Sequence, residues 1–465
     1  MNLDEFEKWA HEFATWAADY HREVRDRPVR PPLAYGTTLA ALGTTPPQQP
    51  EAMEAIFDDF QRIIVPQMTH WQHPRFFAYF PSNAAPASIL AEQLVNAVAA
   101  QCMLWQTSPA ATELEVRVVD WLAQALGLPA GTSGVIQDSA SSSTLTAVLT
   151  MRERALNHQG NQTGLSGQPR LRIYCSRHVH SSIDRAIWVA GIGQDNLVKV
   201  PTHGPRHAMD PAALQAAIAA DRAAGYVPAG VIGCTGGTSV GACDNLSAIL
   251  PIAQEQGLYS HVDAAWAGSA FICPEYRYLW AGIELADSIV FNPHKWLGAQ
   301  HDCSVQFLKD PEPQLNTLRL QPEYLKTAGH ETAPNFSEWT VPLGRRFRAL
   351  KLWFLMRAYG IAGLQTMIRN HVTWAENVCA GVRAVPRLEI VTEPILSLFS
   401  FACKTDWQTS ALLEAINADG RIYLTQSKFQ GRLAIRFQAG AWHMQAQDAD
   451  TAIQVIQEVS QQLRP

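Results

Sequence analysis

From residue 86 onward the chain alternates two kinds of segment, and this alternation limits its fold more than any other feature. Helix-length stretches (about 86–103, 112–126, 141–157, 211–223 and 246–256) are interleaved with short apolar runs at Leu171–Cys175, Leu197–Val200, Gly230–Cys234, Leu258–Val262, Ser288–Phe291 and Cys303–Leu308. Apolar runs of this length, alternating with helices, predict an α/β domain with a mainly parallel central sheet flanked by helices. Ligands of such sheets bind outside the carboxyl ends of the strands, so the residues just after each run carry the most information.

The flanking regions differ. Leu3, Phe6, Trp9, Ala10, Phe13 and Ala17 recur at helical spacing. Prolines 28, 31, 32, 46, 47 and 50 exclude a long helix across the link that follows, and a second helix is expected from about Glu51 to Met68. Two such helices lack a core of their own. Residues 1–85 therefore read as a helical N-terminal segment that wraps a second copy of the chain, giving a homodimer. Residues 86–360 read as the large domain. Residues 361–465 read as a small α+β domain, with helices near 361–384, 408–418 and 447–462 and strands at Ile395–Cys403 and Arg432–Phe437.

Composition narrows the function. The 465 residues are 47% hydrophobic and 17% charged, with a net charge of −6. Such a chain buries a large core and has no electrostatic reason to seek nucleic acid or anionic lipid. No apolar stretch reaches the ~18 residues of a spanning helix. Met1 to Arg25 carries charges of both signs, unlike a signal peptide. The eight cysteines are scattered without a CxxC pair, as in a reducing compartment. A cytoplasmic enzyme is expected.

Three strand ends carry chemistry. Asn292-Pro293-His294-Lys295-Trp296 follows the run Ser288–Phe291. A partly desolvated amine at Lys295 loses its proton readily and forms an imine with a carbonyl cofactor. Asp263 follows Leu258–Val262. A carboxylate there holds a protonated pyridine nitrogen, and the small Ala265 leaves room for a flat ring. Ser139-Ala140-Ser141 opens a helix, where hydroxyls and free N–H groups favour a phosphate. Each segment alone has an ordinary reading: a solvated lysine, a helix cap, a serine-rich cap. Asp263 and Lys295 on successive strand ends form the pattern that pyridoxal-5′-phosphate (PLP) chemistry requires. The run Gly236–Gly241 lacks dinucleotide spacing and reads as a turn presenting Thr238. His178/His180, His70/His73 and His203/His207 lack a supporting carboxylate or cysteine cluster, so no metal site is expected.

With these residues in place, the chain resembles the group II PLP-dependent decarboxylases of fold type I, and among them the aromatic-L-amino-acid decarboxylases. The resemblance lies in His70-Trp71, Phe76 to Pro81, Ser108-Pro109-Ala110, Thr112 to Glu115, Ser139 to Ser141, His180-Ser181-Ser182, Asp263 to Pro274, Asn292 to Trp296 and Pro342 to Phe347. It implies a PLP-dependent transferase fold and a homodimer acting on an amino acid. It implies that Lys295 bears the cofactor, that Asp263 pairs with the ring nitrogen, and that His180 and Ala265 lie on opposite ring faces. By the same resemblance, Thr238 supports the aspartate and Ser139, Ala140, Ser141, Asn292 and His294 hold the phosphate. Tyr324 matches a loop tyrosine that returns a proton to the substrate Cα.

The implied substrate pocket is Trp71, Phe80, Pro81, Ser82, Ile89, Gln101, Met103 and Gly344, mostly apolar as an aromatic guest requires. Gly344 reads equally as a turn residue after Pro342 and as room for a large ring. Ser82 stands where the relatives have Thr, Ser337 where they have Arg, and Gln101 and Met103 where they have more apolar or aromatic residues. The expected reaction is decarboxylation of an aromatic L-amino acid to its arylalkylamine. The alternatives are an aldehyde synthase, or a decarboxylase of a non-aromatic amino acid on the same scaffold.

Overall fold

A computed structural model describes residues 1–32, 34–320 and 333–462. The chain opens with α1 (Leu3–Glu23), α2 (Thr37–Ala41) and α3 (Met53–Asp59), followed by α4 (Pro86–Val98), α5 (Pro109–Leu126) and the strand β1 (Ser133–Gln137). Next come α6 (Ala140–Ala155), the short α7 (Gln159–Thr163), β2 (Leu171–Ser176), α8 (Ser181–Val189) and β3 (Leu197–Val200). The small ladder β4 (Thr202–His203) and β5 (Ala208–Met209) precedes α9 (Pro211–Ala223), β6 (Val227–Cys234), α10 (Leu246–Glu255) and β7 (Tyr259–Asp263). β8 (Ser288–Phe291), β9 (Ser304–Leu308), α11 (Glu312–Leu318) and α12 (Ala349–Arg383) follow. The chain ends with β10 (Glu389–Ile395), β11 (Leu398–Ala402), α13 (Asp406–Asp419), β12 (Thr425–Phe429), β13 (Arg432–Gln438) and α14 (Ala446–Gln462).

The residues fall into two compact units. The first joins residues 1–81 to residues 374–393 and 399–465, and the second holds residues 82–373 and 394–398.

The second unit is built on a seven-stranded sheet in the order β1-β9-β8-β7-β6-β2-β3. β3, β2, β6, β7 and β8 pair in parallel, and β9 lies antiparallel between β8 and β1. The two reversals cancel, so the carboxyl ends of β1, β2, β6, β7 and β8 share one edge. β7, β8 and β9 are buried along their whole lengths, which is why they read as largely apolar runs without alternation. On the sheet, Ala147, Val148 and Met151 of α6 cluster with Ile173, Ile183 and Ile232. β1 carried no such signal. Its Gly134 lies so close to β9 that a Cβ would sit 2.8 Å from the Gln306 carbonyl oxygen, so the pattern is interrupted where the backbones approach.

One expectation is corrected in the C-terminal third. The run Ile395–Cys403 is not one strand: Leu396 has φ +53°, a conformation that leaves the extended region and divides β10 from β11. The helix expected from 361 is present: Gly360, with φ +63° and ψ 163°, is not helical and divides α12 into two helices, the second running over residues 361–383.

In the first unit, a four-stranded sheet in the order β10-β11-β13-β12 packs Phe399, Phe401, Ile435 and Phe437 against Leu412, Ile416, Val455 and Ile456 of α13 and α14. The fully buried Asp448 carboxylate takes Arg25 at 2.5 Å and Arg75 at 3.4 Å, tying the N-terminal segment to α14. α1 starts on a capping box between Asn2 and Glu5, yet none of its residues is buried.

Two resemblance motifs meet in the second unit. Arg345 reaches the Glu115 carboxylate at 2.6 Å and also donates to the carbonyls of Ile136 and Cys102. Both side chains are almost fully buried. Arg345→Leu is predicted to cost about 3–5 kcal/mol by leaving Glu115 uncompensated. The denaturation midpoint checks this; a shift of less than about 1 kcal/mol would show that the pair is not structural.

Buried histidines add a pH dependence. Burial pushes His73 to about 3, His261 to about 4 and His294 to about 3. Each is neutral in the fold and takes a proton once unfolded below about 6.5. Their contribution is complete above that value and is lost as pH falls toward 3–4, by up to about 1.4 kcal/mol per pH unit each. Asp244, raised to about 6 by burial, opposes them as a single group. The melting temperature is expected to fall from pH 7 to pH 5, less steeply in His261→Asn. Equal slopes in the two proteins would exclude His261 as a contributor.

Candidate active site

The shared sheet edge gathers the residues singled out from the sequence. Lys295 follows β8 in a π-helical turn, Pro293–Leu297, closed by Gly298 at φ +100°. Beside it, Trp296 is fully buried, stacks on Trp266 at 5.1 Å, and donates from Nε1 to His371 Nδ1 at 2.9 Å. That anchor fixes the turn while Lys295 stays half-buried.

Asp263 ends β7 and is buried. Its Oδ1 accepts the Ala265 N–H at 3.0 Å, and Oδ2 has no donor among the described residues. Backbone bonds hold the neighbouring ends: Thr235 N–H to the Asp263 carbonyl and Asn292 N–H to the Ala265 carbonyl, both at 2.9 Å. Thr238 lies half-buried in the turn after β6. That turn needs glycine at Gly236, where φ is +80° and a Cβ would lie 2.5 Å from the Ala267 Cβ.

His180 caps α8 after β2. Its Nδ1 accepts the Ser182 N–H at 3.1 Å, so a neutral ring carries its proton on Nε2. Its pKa is lowered, first by desolvation; Asp263 opposes that and Lys295 adds to it. The fields of both charged residues thus act on this ring.

The anion-binding candidates follow β1 and β8 on the same edge. Ser139 Oγ caps α6 by accepting the Ser142 N–H at 3.2 Å, and the Ala140 and Ser141 N–H groups have no acceptor among the described residues. Asn292 Oδ1 accepts from the Ser304 hydroxyl at 2.7 Å, which leaves its Nδ2 to donate. His294 Nδ1 accepts the Cys303 N–H at 2.9 Å, leaving Nε2–H on a ring that burial keeps neutral.

The pocket candidates divide between the units. Trp71, Phe80 and Pro81 belong to the first, where Trp71 stacks on Phe76 at 4.4 Å and the Arg436 guanidinium lies 4.4 Å from the Phe80 ring. Ser82, Gln101, Met103 and Gly344 belong to the second. Gln101 Oε1 accepts the Arg345 N–H at 2.7 Å, and the Met103 carbonyl accepts the Ser337 N–H at 3.0 Å. Gly344 lies outside the left-handed region, and a Cβ there would meet only Gln101 Nε2, at 3.3 Å. The backbone does not demand glycine at this position. Tyr324 lies outside the described residues.

Sequence reasoning missed Thr235, a buried threonine just after β6 whose hydroxyl has no hydrogen-bond partner among the described residues. It also missed the polar chain beneath the site, where His261 Nδ1 meets the Ser288 hydroxyl at 3.0 Å and Gln306 donates to Ser288 and Gln314. Isolated polar residues within apolar runs were the only signal.

A carboxylate oxygen without a donor among the described residues, an amine on the next strand end and a cradle of donors for an anion suit a ring with a basic nitrogen and a phosphate arm. Those residues fit pyridoxal phosphate, on a type I fold. Residues 36–404 match the family described as the pyridoxal-dependent decarboxylase conserved domain, and the chain belongs to that family. It is a carboxy-lyase that works with pyridoxal phosphate. It is 40% identical to the aromatic-L-amino-acid decarboxylase of Bos taurus, over 99% of this chain and 97% of that one. A structure of Oryza sativa TDC with PLP and tryptamine superposes with a TM-score of 0.95 at 33% identity, covering 99% of this chain and 98% of that one. The 4-hydroxyphenylacetaldehyde synthase of Rhodiola rosea superposes with a TM-score of 0.92 at 33% identity, covering 100% and 99%.

Lys295→Ala is predicted to abolish the visible absorption band of the lysine-bound cofactor while leaving the far-ultraviolet dichroism intact. An unchanged band in the folded variant would assign the cofactor to another lysine.

Proposed function

We propose that the chain decarboxylates an aromatic L-amino acid, releasing CO₂ and the corresponding arylalkylamine. Gly344 carries this reading. Its missing side chain is not a backbone requirement and leaves room for a ring beside Gln101. Relatives that act on aromatic amino acids support it.

When bound, pyridoxal phosphate supplies the electron sink for the pair left behind by the departing carboxylate. Lys295 anchors it through Nζ. Asp263 Oδ2 holds the proton on the ring nitrogen. The N–H groups of Ala140 and Ser141, with Ser139, Asn292 and neutral His294, hold the phosphate. His180 and Ala265 would flank the ring, and Thr238 would support the aspartate. The Tyr324 hydroxyl donates the proton that the substrate Cα receives. Trp71, Phe80, Pro81, Ser82, Gln101, Met103 and Gly344 bind the substrate.

A homodimer belongs to the same reading, with the helical N-terminal segment wrapping the second copy. On α1, Leu3 is 83% and Phe6 57% exposed, an apolar face without cover in its own chain. We assign the enzyme to the cytoplasm: all eight cysteines are unpaired and buried, and no described helix is long and apolar enough to cross a membrane.

The second reading, an aldehyde synthase, has the Rhodiola rosea likeness behind it. Retention of both His180 and Tyr324 favours the amine. The test is to give the PLP-loaded enzyme tryptophan, tyrosine, DOPA, phenylalanine, histidine, glutamate and diaminobutyrate separately and to quantify CO₂, amine, aldehyde and peroxide. CO₂ and amine in equal amounts from an aromatic substrate are expected. Aldehyde with peroxide selects the synthase, and turnover of non-aromatic amino acids alone removes the pocket reading. Tyr324→Phe is expected to slow amine formation and raise the aldehyde share; a wild-type product ratio would rule out Tyr324 as the donor.

A further inference from the structure

We infer that the Gln101 side-chain amide is a specificity determinant that donates a hydrogen bond to an oxygen on the substrate ring, so that hydroxyaryl amino acids are favoured over unsubstituted ones. This rests on the pocket reading above and narrows its substrate class.

The amide's orientation is settled by its surroundings. A backbone N–H needs an oxygen acceptor, and the Arg345 N–H lies 2.7 Å from Gln101 Oε1. Nε2 is therefore the end turned to Gly344, 3.3 Å from where a Cβ would stand. It has no acceptor among the described residues. The mount is rigid, because Arg345 is itself held by Glu115, the Ile136 carbonyl and the Cys102 carbonyl. The Gln101 carbonyl oxygen also accepts from the hydroxyls of Thr107 and Ser108, at 3.1 and 3.0 Å. Both ends of the residue are thus pinned, and a donor is presented 3.3 Å from where a Gly344 Cβ would stand.

A pinned donor selects for an acceptor. The phenol oxygen of tyrosine or DOPA accepts a hydrogen bond. Phenylalanine has no ring heteroatom, and an indole N–H only donates. Gly344 provides the space, and Gln101 decides which ring edge fills it well.

The experiment measures kcat/KM for tyrosine, DOPA, phenylalanine and tryptophan with the PLP-loaded wild type, Gln101→Leu and Gln101→Met. The wild type is expected to favour the hydroxylated rings, and both variants to lower the tyrosine-to-phenylalanine ratio about tenfold, the loss of one hydrogen bond. A ratio that stays at the wild-type value, whether or not both constants fall, would show a packing role and overturn the inference. So would a wild type that prefers phenylalanine or tryptophan. Absence of CO₂ from every aromatic amino acid with the wild type would instead remove the pocket reading, and this inference with it.

Discussion

A carboxylate in a buried strand end needs a positive partner, and Asp263 is supplied with half of what it needs. One oxygen is satisfied by the N–H two residues on, and the other has no donor within the described chain. Much of the second unit holds that oxygen still. Thr235 N–H bonds to the Asp263 carbonyl, Ala264 N–H to the Val290 carbonyl and Asn292 N–H to the Ala265 carbonyl. These bonds lock the ends of β6, β7 and β8 into one rim, from which Asp263 and Lys295 both follow. A charge that must wait for its partner is tolerable only on a rigid frame, because a mobile one would turn toward water.

The parallel sheet was legible because its inner strands are buried on both faces and read as largely apolar runs; Ser288–Phe291 matches to the residue, as does the edge strand Leu197–Val200. Strands with other surroundings were not. β1 contains Gly134 at a close backbone approach, and β12 alternates half-buried with exposed residues at a sheet edge. The division of β10 from β11 turns on a positive φ at Leu396, a residue type that gives no warning of it. Periodicity reports burial, and it falls silent where geometry rather than burial decides.

The site was legible in a different way. Asp263 and Lys295 could be placed because each directly follows an apolar run. The positioning groups could not: Thr235, His261, Ser288 and Gln306 are single polar residues whose meaning depends on neighbours far along the chain. The link between Glu115 and Arg345 was equally hidden. The two motifs were noticed separately, and only the fold shows that one buried ion pair joins them. Ser337 is buried with its N–H on the Met103 carbonyl.

α1 has a well-made start and a weak hold. Its capping box organises the first turn locally, and its aromatic residues Trp9, Phe13 and Trp16 meet Phe57 and Phe60, but none of its residues is fully buried by the described chain. A helix in that position takes its remaining stability from whatever covers it. If the cover is a second copy, the order of the first twenty or so residues obeys mass action. In a dilute sample they would be the first cut by a protease, and in a concentrated one they would resist. The folded length of the chain then becomes a property of the solution as well as of the sequence.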